Sequence, residues 1–225
     1  MIARKNIPNL LTVLRLVLAA VFFGVLAFYQ FNAGVAWLLI PAIVLFIAAA
    51  ATDAMDGYYA RRWQVESKFG RIMDPFCDKV LVLGALVFLA GPGFTSYDAH
   101  VIATRGWVAH SSSHMSGVYP WMVVVMLSRE LLVTGIRGEL EGSGHRFGAN
   151  VWGKLKMILQ SIVVPAVLLI VFIREVTSDT TDLTWLRWVR DVLVYATVLV
   201  TILSGLPYIT GAIKIARAQE KAGGD

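Results

Sequence analysis

Residues 16–52 read LVLAAVFFGVLAFYQFNAGVAWLLIPAIVLFIAAAAT and contain no Asp, Glu, Lys or Arg. A helix needs about 20 mostly apolar residues to cross the hydrocarbon core, so this stretch is long enough to contribute to two crossings. The whole chain of 225 residues is 57% hydrophobic and only 16% charged. These features exclude an ordinary soluble globular protein and a disordered chain, and they predict an integral membrane protein.

Working outward from this stretch, the apolar runs predict an all-α protein with six transmembrane helices. We find no internal repeat, low-complexity segment or soluble domain, so residues 1–225 are expected to form a single membrane-embedded domain. The first apolar run is expected to be a retained helix rather than a cleaved signal peptide. The predicted spans are about 9–30, 34–57, 75–95, 117–140, 154–174 and 188–213.

The basic residues are concentrated at one end of these spans. Of the 20 Lys and Arg residues, all but Arg105, Arg174, Arg187 and Arg190 lie on the side that holds both chain ends. Cytoplasmic segments of membrane proteins are enriched in Lys and Arg, which predicts that both termini are cytoplasmic. The same bias accounts for the net charge of +5, so no nucleic-acid partner is expected. The expected location is the cell (inner) membrane.

The segment after the uncharged stretch, DAMDGYYARRWQVESKFGRIMDPFCD (residues 53–78), carries four aspartates. Asp53 and Asp56 are three residues apart, and Asp74 and Asp78 are four apart, so each pair lies on one face of a helix. Crowded carboxylates near a low-dielectric interior need a counter-charge, and their oxygens suit Mg²⁺ or Mn²⁺. If the two helices pair, four aspartates could hold two ions, an arrangement suited to displacement at phosphorus.

Small and basic residues extend this pattern. Gly57 and Ala60 continue the stripe of Asp53 and Asp56 and would let a bulky ligand lie against the helix, while Arg61 could reach a phosphate. The alternative for any single aspartate is a solvated surface position or a salt bridge. Four aspartates in helical register, with small residues between them, favour metal binding.

These residues carry a resemblance to a known family. D-x-x-D-G-x-x-A-R, eight further residues and G-x-x-x-D-x-x-x-D resemble the signature of the CDP-alcohol phosphotransferase family, with every spacing matched. Members of this family displace CMP from a CDP-linked donor with an alcohol. The resemblance implies the CDP-alcohol phosphotransferase fold over nearly the whole chain, with an active site that faces the cytoplasm. The matching positions are Asp53, Asp56, Gly57, Ala60, Arg61, Gly70, Asp74 and Asp78.

The resemblance also implies a role for each residue. Two Mg²⁺ (or Mn²⁺) ions would be held by Asp53, Asp56, Asp74 and Asp78, and Asp78 would be the general base for the attacking hydroxyl. A homodimer is expected from the family, and Gly205 in the last span could allow a close helix contact. The implied CDP-donor residues are Asn9, Thr12, Gly57, Ala60, Arg61, Ser67 and Gly70.

The acceptor has to be inferred from outside the signature. The strings NIPNLLTVLR (6–15), SRELLVTGIR (128–137) and GKLKMILQ (153–160) resemble family members that join CDP-diacylglycerol to sn-glycerol 3-phosphate. An anionic acceptor requires nearby cations. The alternatives are that the lysines only extend to the membrane surface and that Arg129 pairs with Glu130. The candidate acceptor-phosphate residues are Arg129, Arg137, Lys154 and Lys156.

Other interpretations stay open at this point. A member of the same family could use phosphatidylglycerol as its acceptor and form cardiolipin. A small cation transporter is disfavoured because its carboxylates should lie near the bilayer midplane rather than at the cytoplasmic end. His100, His110 and His114 fall in the predicted outer loop and are expected to be solvated rather than metal-bound. The single cysteine, Cys77, excludes a disulfide framework and is expected to be a packed thiol.

Overall fold

The computed structural model describes residues 7–63, 68–96, 113–142, 151–177 and 183–222. Within these ranges the chain is almost entirely helical. Two single-turn 3₁₀ helices, Ala36–Leu38 and Pro92–Phe94, and a two-residue antiparallel pair, β1 (Thr95–Ser96) with β2 (Ser113–His114), complete the structure. The long helices are α1 (Ile7–Phe28), α2 (Leu39–Trp63), α3 (Lys68–Leu89), α4 (Pro120–Gly142), α5 (Val151–Val176) and α6 (Thr184–Ala222).

Four segments in this described part of the chain are long and apolar enough to cross a membrane. They confirm that the chain is a membrane protein, while the count of six crossings stays a prediction. α3 contributes a shorter apolar segment, Lys79–Leu89, and α4 carries Arg129 and Glu130 near its middle. The four spans are Leu10–Phe28, Ala36–Asp53, Val151–Val176 and Thr184–Ile213.

Some predicted boundaries were wrong. α2 begins at Leu39 rather than at 34, because a turn with Asn32 at φ 60° and Gly34 at φ 73° is followed by a 3₁₀ helix. α3 ends at Leu89 rather than near 95, and Gly91 and Pro92 follow after Ala90. Hydropathy places an apolar run but does not show where its backbone stops being helical.

The helices form a ring in which neighbours in space differ from neighbours in sequence. The order around the ring is α1, α2, α5, α6, α4 and α3, and α3 returns to α1. The hydrophobic core runs through the middle of the bundle and takes side chains from all six helices. Aromatic rings pack where α1 meets α2 and α3. Phe22 packs against Phe46 with ring centres 5.6 Å apart, and Phe23 stacks on Phe88 at 5.7 Å. Gly84 makes room for this stack, since a Cβ there would lie 2.5 Å from the ring of Phe23.

The end of the bundle opposite the start of α5 is held by polar contacts between separate segments. Glu175 accepts hydrogen bonds from the hydroxyl of Tyr29 at 2.7 Å and from the backbone N–H of Asn32 at 3.1 Å. Arg190 is buried and donates to the backbone carbonyl of Met115 at 2.7 Å. These bonds tie the α1–α2 turn to α5, and the β2 segment to α6.

The outer histidines differ in what can be said of them. His114 is half-buried rather than solvated, with Nδ1 3.3 Å from the hydroxyl of Thr95 and its ring edge-on to Tyr119. Burial lowers the pKa of His114. His100 and His110 lie outside the described residues. Among the residues that are described, no group of three or more His, Cys, Asp or Glu side chains comes together.

One substitution tests the packing of the turn between α3 and β1. A Cβ on Gly93 would lie 2.7 Å from the backbone carbonyl oxygen of Tyr29, and Phe31 N–H bonds to the Gly93 carbonyl. We expect Gly93→Ala to destabilise the protein by about 1–3 kcal/mol, because backbone must move to relieve the overlap. Thermal unfolding in detergent measures this loss.

The matched control is Gly24→Ala in α1, where a Cβ meets nothing within 4 Å. This variant should unfold at the same temperature or higher, since alanine is the better helix former. Equal midpoints for the two alanine variants would contradict the packing of this turn.

Candidate functional site

Only part of the predicted site lies among side chains that the structure describes. These are Thr12, Asp53 and the four candidate acceptor cations. Ser67 lies outside the described residues, and the aspartate site as a whole therefore stays a prediction. The remaining positions lie within α1, α2 or α3, but their side chains are outside the described set: Asn9, Asp56, Gly57, Ala60, Arg61, Gly70, Asp74 and Asp78.

Asp53, the first aspartate of the motif, is paired with Arg15 on α1. The Arg15 Nη1 lies 2.8 Å from Asp53 Oδ1. Arg15 is only 1% exposed, whereas the Asp53 side chain is 45% exposed. A buried guanidinium requires anionic or hydrogen-bonding partners. This ion pair therefore holds one oxygen of the Asp53 carboxylate toward α1. Thr12, also buried, lies one turn before Arg15.

A cavity of about 610 Å³ lies between α3, α4, α5 and α6, and all four candidate acceptor cations line it. The four basic residues proposed from the sequence therefore lie around one space, while their role in binding an acceptor phosphate stays a prediction. The cavity also holds residues that the sequence analysis did not assign. Its polar lining residues are Lys79, Arg129, Glu130, Thr134, Arg137, Lys154, Lys156, Gln160, Ser161 and Tyr208.

Glu130 is the centre of the inner part of this cavity. Lys156 Nζ and Arg129 Nη1 both donate to Glu130 Oε2, the arginine at 3.0 Å, and Lys79 Nζ lies 3.6 Å from Oε1. The Glu130 side chain is only 12% exposed, so water screens these charges little. Lys79 also donates to the hydroxyl of Thr134 at 2.6 Å. One carboxylate therefore holds cations from three helices.

These contacts decide between the alternatives for the cations. The Arg129–Glu130 ion pair is present, and Arg129 nevertheless lines the cavity. Lys156 is buried, so it does not extend to the membrane surface, whereas Lys154 is exposed. Gly205 is buried against Arg129, whose Cγ would lie 3.3 Å from a Cβ at that position. Gly205 therefore permits close packing of α6 on α4, and the expected homodimer stays a prediction.

The outer part of the cavity, by which we mean the part farthest from Glu130 along α4, lies where α4 ends and α5 begins. It is at the opposite end of the bundle from the loop that holds His114. In this outer part Arg137 Nη2 donates to the hydroxyl of Tyr208 at 2.7 Å, and the guanidinium carbon stands 5.5 Å from the ring centre. Both contacts are to a neutral group, so Arg137 keeps its charge available for an anion. Lys154 lines the same part. The cavity thus has a cationic outer end and an inner end centred on Glu130.

Three residues of this site were not predicted, although each has a weak distinguishing feature in the sequence. Lys79 directly follows Asp78 in α3, which joins the cavity to the aspartate motif along the chain. Gln160 follows Lys156 by four residues in an otherwise apolar helix. Arg15 is the last charged residue before the uncharged stretch. A polar residue inside an apolar run is the signal that could have found each of them.

Comparisons with known proteins identify similar sequences. A family model described as CDP-alcohol phosphatidyltransferase matches residues 5–203. Three similar relatives are each named CDP-diacylglycerol--glycerol-3-phosphate 3-phosphatidyltransferase. The Bacillus subtilis protein is 32% identical over 91% of this chain and 94% of its own length. The Cereibacter sphaeroides protein is 35% identical over 73% and 63%, and the Yersinia pestis protein is 34% identical over 69% and 72%.

The role of Glu130 can be measured without any substrate. Glu130→Gln would leave Lys156 and Arg129 without their carboxylate, and we expect a destabilisation of about 3–5 kcal/mol. The double variant Glu130→Gln/Lys156→Met should recover part of that loss, because it also removes a buried charge. Thermal unfolding in detergent compares the two variants.

Arg187→Gln, at an exposed position near the start of α6 and outside the cavity, serves as the control and should change the midpoint little. A Glu130→Gln variant as stable as this control would show that the ion-pair cluster does not hold the helices together.

Proposed function

Because the chain belongs to the CDP-alcohol phosphatidyltransferase family, we propose that it transfers a phosphatidyl group from CDP-diacylglycerol to sn-glycerol 3-phosphate. CMP is released and phosphatidylglycerophosphate is formed, as a step of phospholipid biosynthesis. The names of the relatives support this donor and this acceptor. The structural observation that carries the proposal is the cavity lined by cations. One of these cations, Lys79, directly follows the last aspartate of the motif in the sequence.

The cavity suits a small phosphorylated acceptor. Among the described residues, its lining has five cations and one carboxylate, so this part of the lining carries a net positive charge. Glu130 is already bound to Lys79, Arg129 and Lys156, whereas Arg137 and Lys154 have no carboxylate partner among the described residues. We therefore assign the acceptor phosphate to Arg137 and Lys154, where its charge is least opposed.

The aspartates would hold the metal ions. Asp53, Asp56, Asp74 and Asp78 supply only hard carboxylate oxygens from α2 and α3, a donor set that fits Mg²⁺ or Mn²⁺. Bound ions would neutralise the pyrophosphate of the donor and make CMP a better leaving group. Arg15 orients Asp53 from the α1 side.

The donor nucleotide would lie along the same helices. Thr12, which is buried beside Arg15 on α1, would form part of the wall for the CDP group. Small residues in the motif would leave space for it, and Arg61 would contact a phosphate. The proposed donor set is Asn9, Thr12, Gly57, Ala60, Arg61, Ser67 and Gly70.

The reaction needs one proton transfer. The acceptor hydroxyl oxygen attacks the phosphorus that bears diacylglycerol, and the bond from this phosphorus to the CMP oxygen breaks. Asp78 would accept the hydroxyl proton as general base. An aspartate that also binds metal is a weak base, so its contribution depends on position more than on basicity. Its neighbour Lys79 lines the cavity, which supports an acceptor hydroxyl arriving beside α3.

The proposed setting is a single-domain protein of six spans in the cell membrane, with both termini and the active site on the cytoplasmic side. The distribution of Lys and Arg supports this orientation. A site at the inner leaflet lets the acyl chains of the donor stay in the bilayer while the soluble acceptor enters from the cytoplasm. A homodimer remains part of the proposal.

The direct assay is CMP release by the purified protein with CDP-diacylglycerol and MgCl₂. Turnover should require glycerol 3-phosphate and should be lost in Asp74→Asn and Asp78→Asn, because both would lose a metal ligand and the latter also the base. Folding of the variants is checked by thermal unfolding. Turnover with phosphatidylglycerol in place of glycerol 3-phosphate, or near-normal turnover of either variant, would contradict the proposal.

The phosphate assignment has its own test. Arg137→Ala should raise the KM for glycerol 3-phosphate about tenfold or more and leave the KM for CDP-diacylglycerol nearly unchanged, since a charge-assisted hydrogen bond is lost. Steady-state kinetics with each substrate varied in turn measures the two constants.

Arg187→Ala is the matched control, because Arg187 is exposed near the start of α6 and does not line the cavity. An unchanged acceptor KM in Arg137→Ala would remove Arg137 from the phosphate site.

A further inference from the structure

Gln160 is a buried polar side chain that the proposed chemistry has not yet used. It lies on α5, lines the cavity and is only 4% exposed. Its side-chain nitrogen Nε2 has no hydrogen-bond partner among the described residues, and the same holds for Nε of Arg129. A buried N–H without a partner is destabilising, and nearly all such groups in folded proteins are paired. Two unpaired donors at the wall of one cavity point to a ligand with acceptor oxygens.

The position of Gln160 places it at the inner end of the cavity. It follows Lys156 by one helical turn, about 6 Å along the helix axis. Lys156 binds Glu130 on α4. Arg137 lies about two turns from Glu130 in the opposite direction, toward the end of α4. Gln160 and Arg137 therefore stand at opposite ends of the cavity.

The two ends differ in the chemistry that they can bind. The outer end, with Arg137 and Lys154, offers cations without a carboxylate partner among the described residues. The inner end offers the carboxylate of Glu130 as an acceptor and the amide of Gln160 as a donor, and its cations are already bound to Glu130. A hydroxyl group both donates and accepts hydrogen bonds, so it suits the inner end, whereas a phosphate suits the outer end.

We propose that Gln160 is a specificity-determining residue whose side-chain N–H donates a hydrogen bond to a hydroxyl oxygen of the acceptor. This inference rests on the proposed function and identifies the part of the acceptor that the inner end recognises. The phosphate at Arg137 and Lys154 and the hydroxyl at Gln160 together select a phosphorylated polyol. A site built to bind a hydroxyl discriminates against analogues that lack it, because its buried polar groups are then left unpaired.

The test uses two variants of the full-length protein in detergent. Gln160→Met keeps the length of the side chain and removes the amide, and Gln160→Glu keeps the shape but replaces the N–H donor with an acceptor. Each should raise the KM for glycerol 3-phosphate about fivefold to tenfold and leave the KM for CDP-diacylglycerol unchanged. Gln30→Met, at an exposed position outside the cavity, is the matched control and should match the wild type.

Thermal stabilisation by two probes separates hydroxyl recognition from phosphate binding. Glycerol 3-phosphate should stabilise Gln160→Met less than the wild type, while inorganic phosphate should stabilise both equally. Without a ligand, Gln160→Met should unfold no earlier than the wild type, because an unpaired buried amide has been replaced by an apolar group.

Three results would overturn the role of Gln160: an unchanged acceptor KM, an equal loss of stabilisation by inorganic phosphate, or a lower unliganded midpoint with an unchanged acceptor KM. The last would show a purely structural amide. Failure of the wild type to use or bind glycerol 3-phosphate would instead contradict the proposed function, and it would be seen before any variant is made.

Discussion

The contact between Glu130 and three cations is the interaction on which the candidate site depends. Lys79, Arg129 and Lys156 come from α3, α4 and α5, and the two more buried charges, Arg129 and Lys156, need a carboxylate partner in a mostly apolar bundle. By neutralising part of the positive charge, Glu130 lets the cations gather around one cavity. Arg129 packs against Gly205 on its way to Glu130, and a side chain at position 205 would crowd Arg129.

A second ion pair, whose cation is buried, lies on the side of α3 that is opposite the cavity. Arg15 is buried beside Asp53, so a cation on α1 holds the first residue of the aspartate motif. The Glu130 cluster and the Arg15–Asp53 pair follow one plan: apolar faces pack the helices, and these buried charges are held by partners of opposite charge. Chemistry on a charged substrate requires such a plan, because charged groups must be kept near the low-dielectric interior without unfolding the protein.

The sequence predicted the membrane class and the regions of the long helices, because hydropathy is a property of single positions. It also singled out four basic residues that lie around one cavity, although their role there stays a prediction. It did not predict the ring order of the helices, the Arg15–Asp53 pair or the inclusion of Lys79 and Gln160 in the cavity. These depend on which helix faces meet, and an apolar face packs equally well against lipid or protein. The partial burial of His114 within the two-residue strand pair was also missed, because it depends on a contact between segments that are distant in the sequence.

The most direct measurement is an experimental structure of the full chain with glycerol 3-phosphate bound. We expect the phosphate of the acceptor to lie within hydrogen-bond distance of Arg137 and Lys154, and one of its hydroxyl groups to be directed at Gln160. The attacking hydroxyl should face α3, beside Lys79 and its neighbour Asp78. Acceptor density outside the cavity, or a phosphate bound at Gln160 with the outer cations empty, would contradict the account.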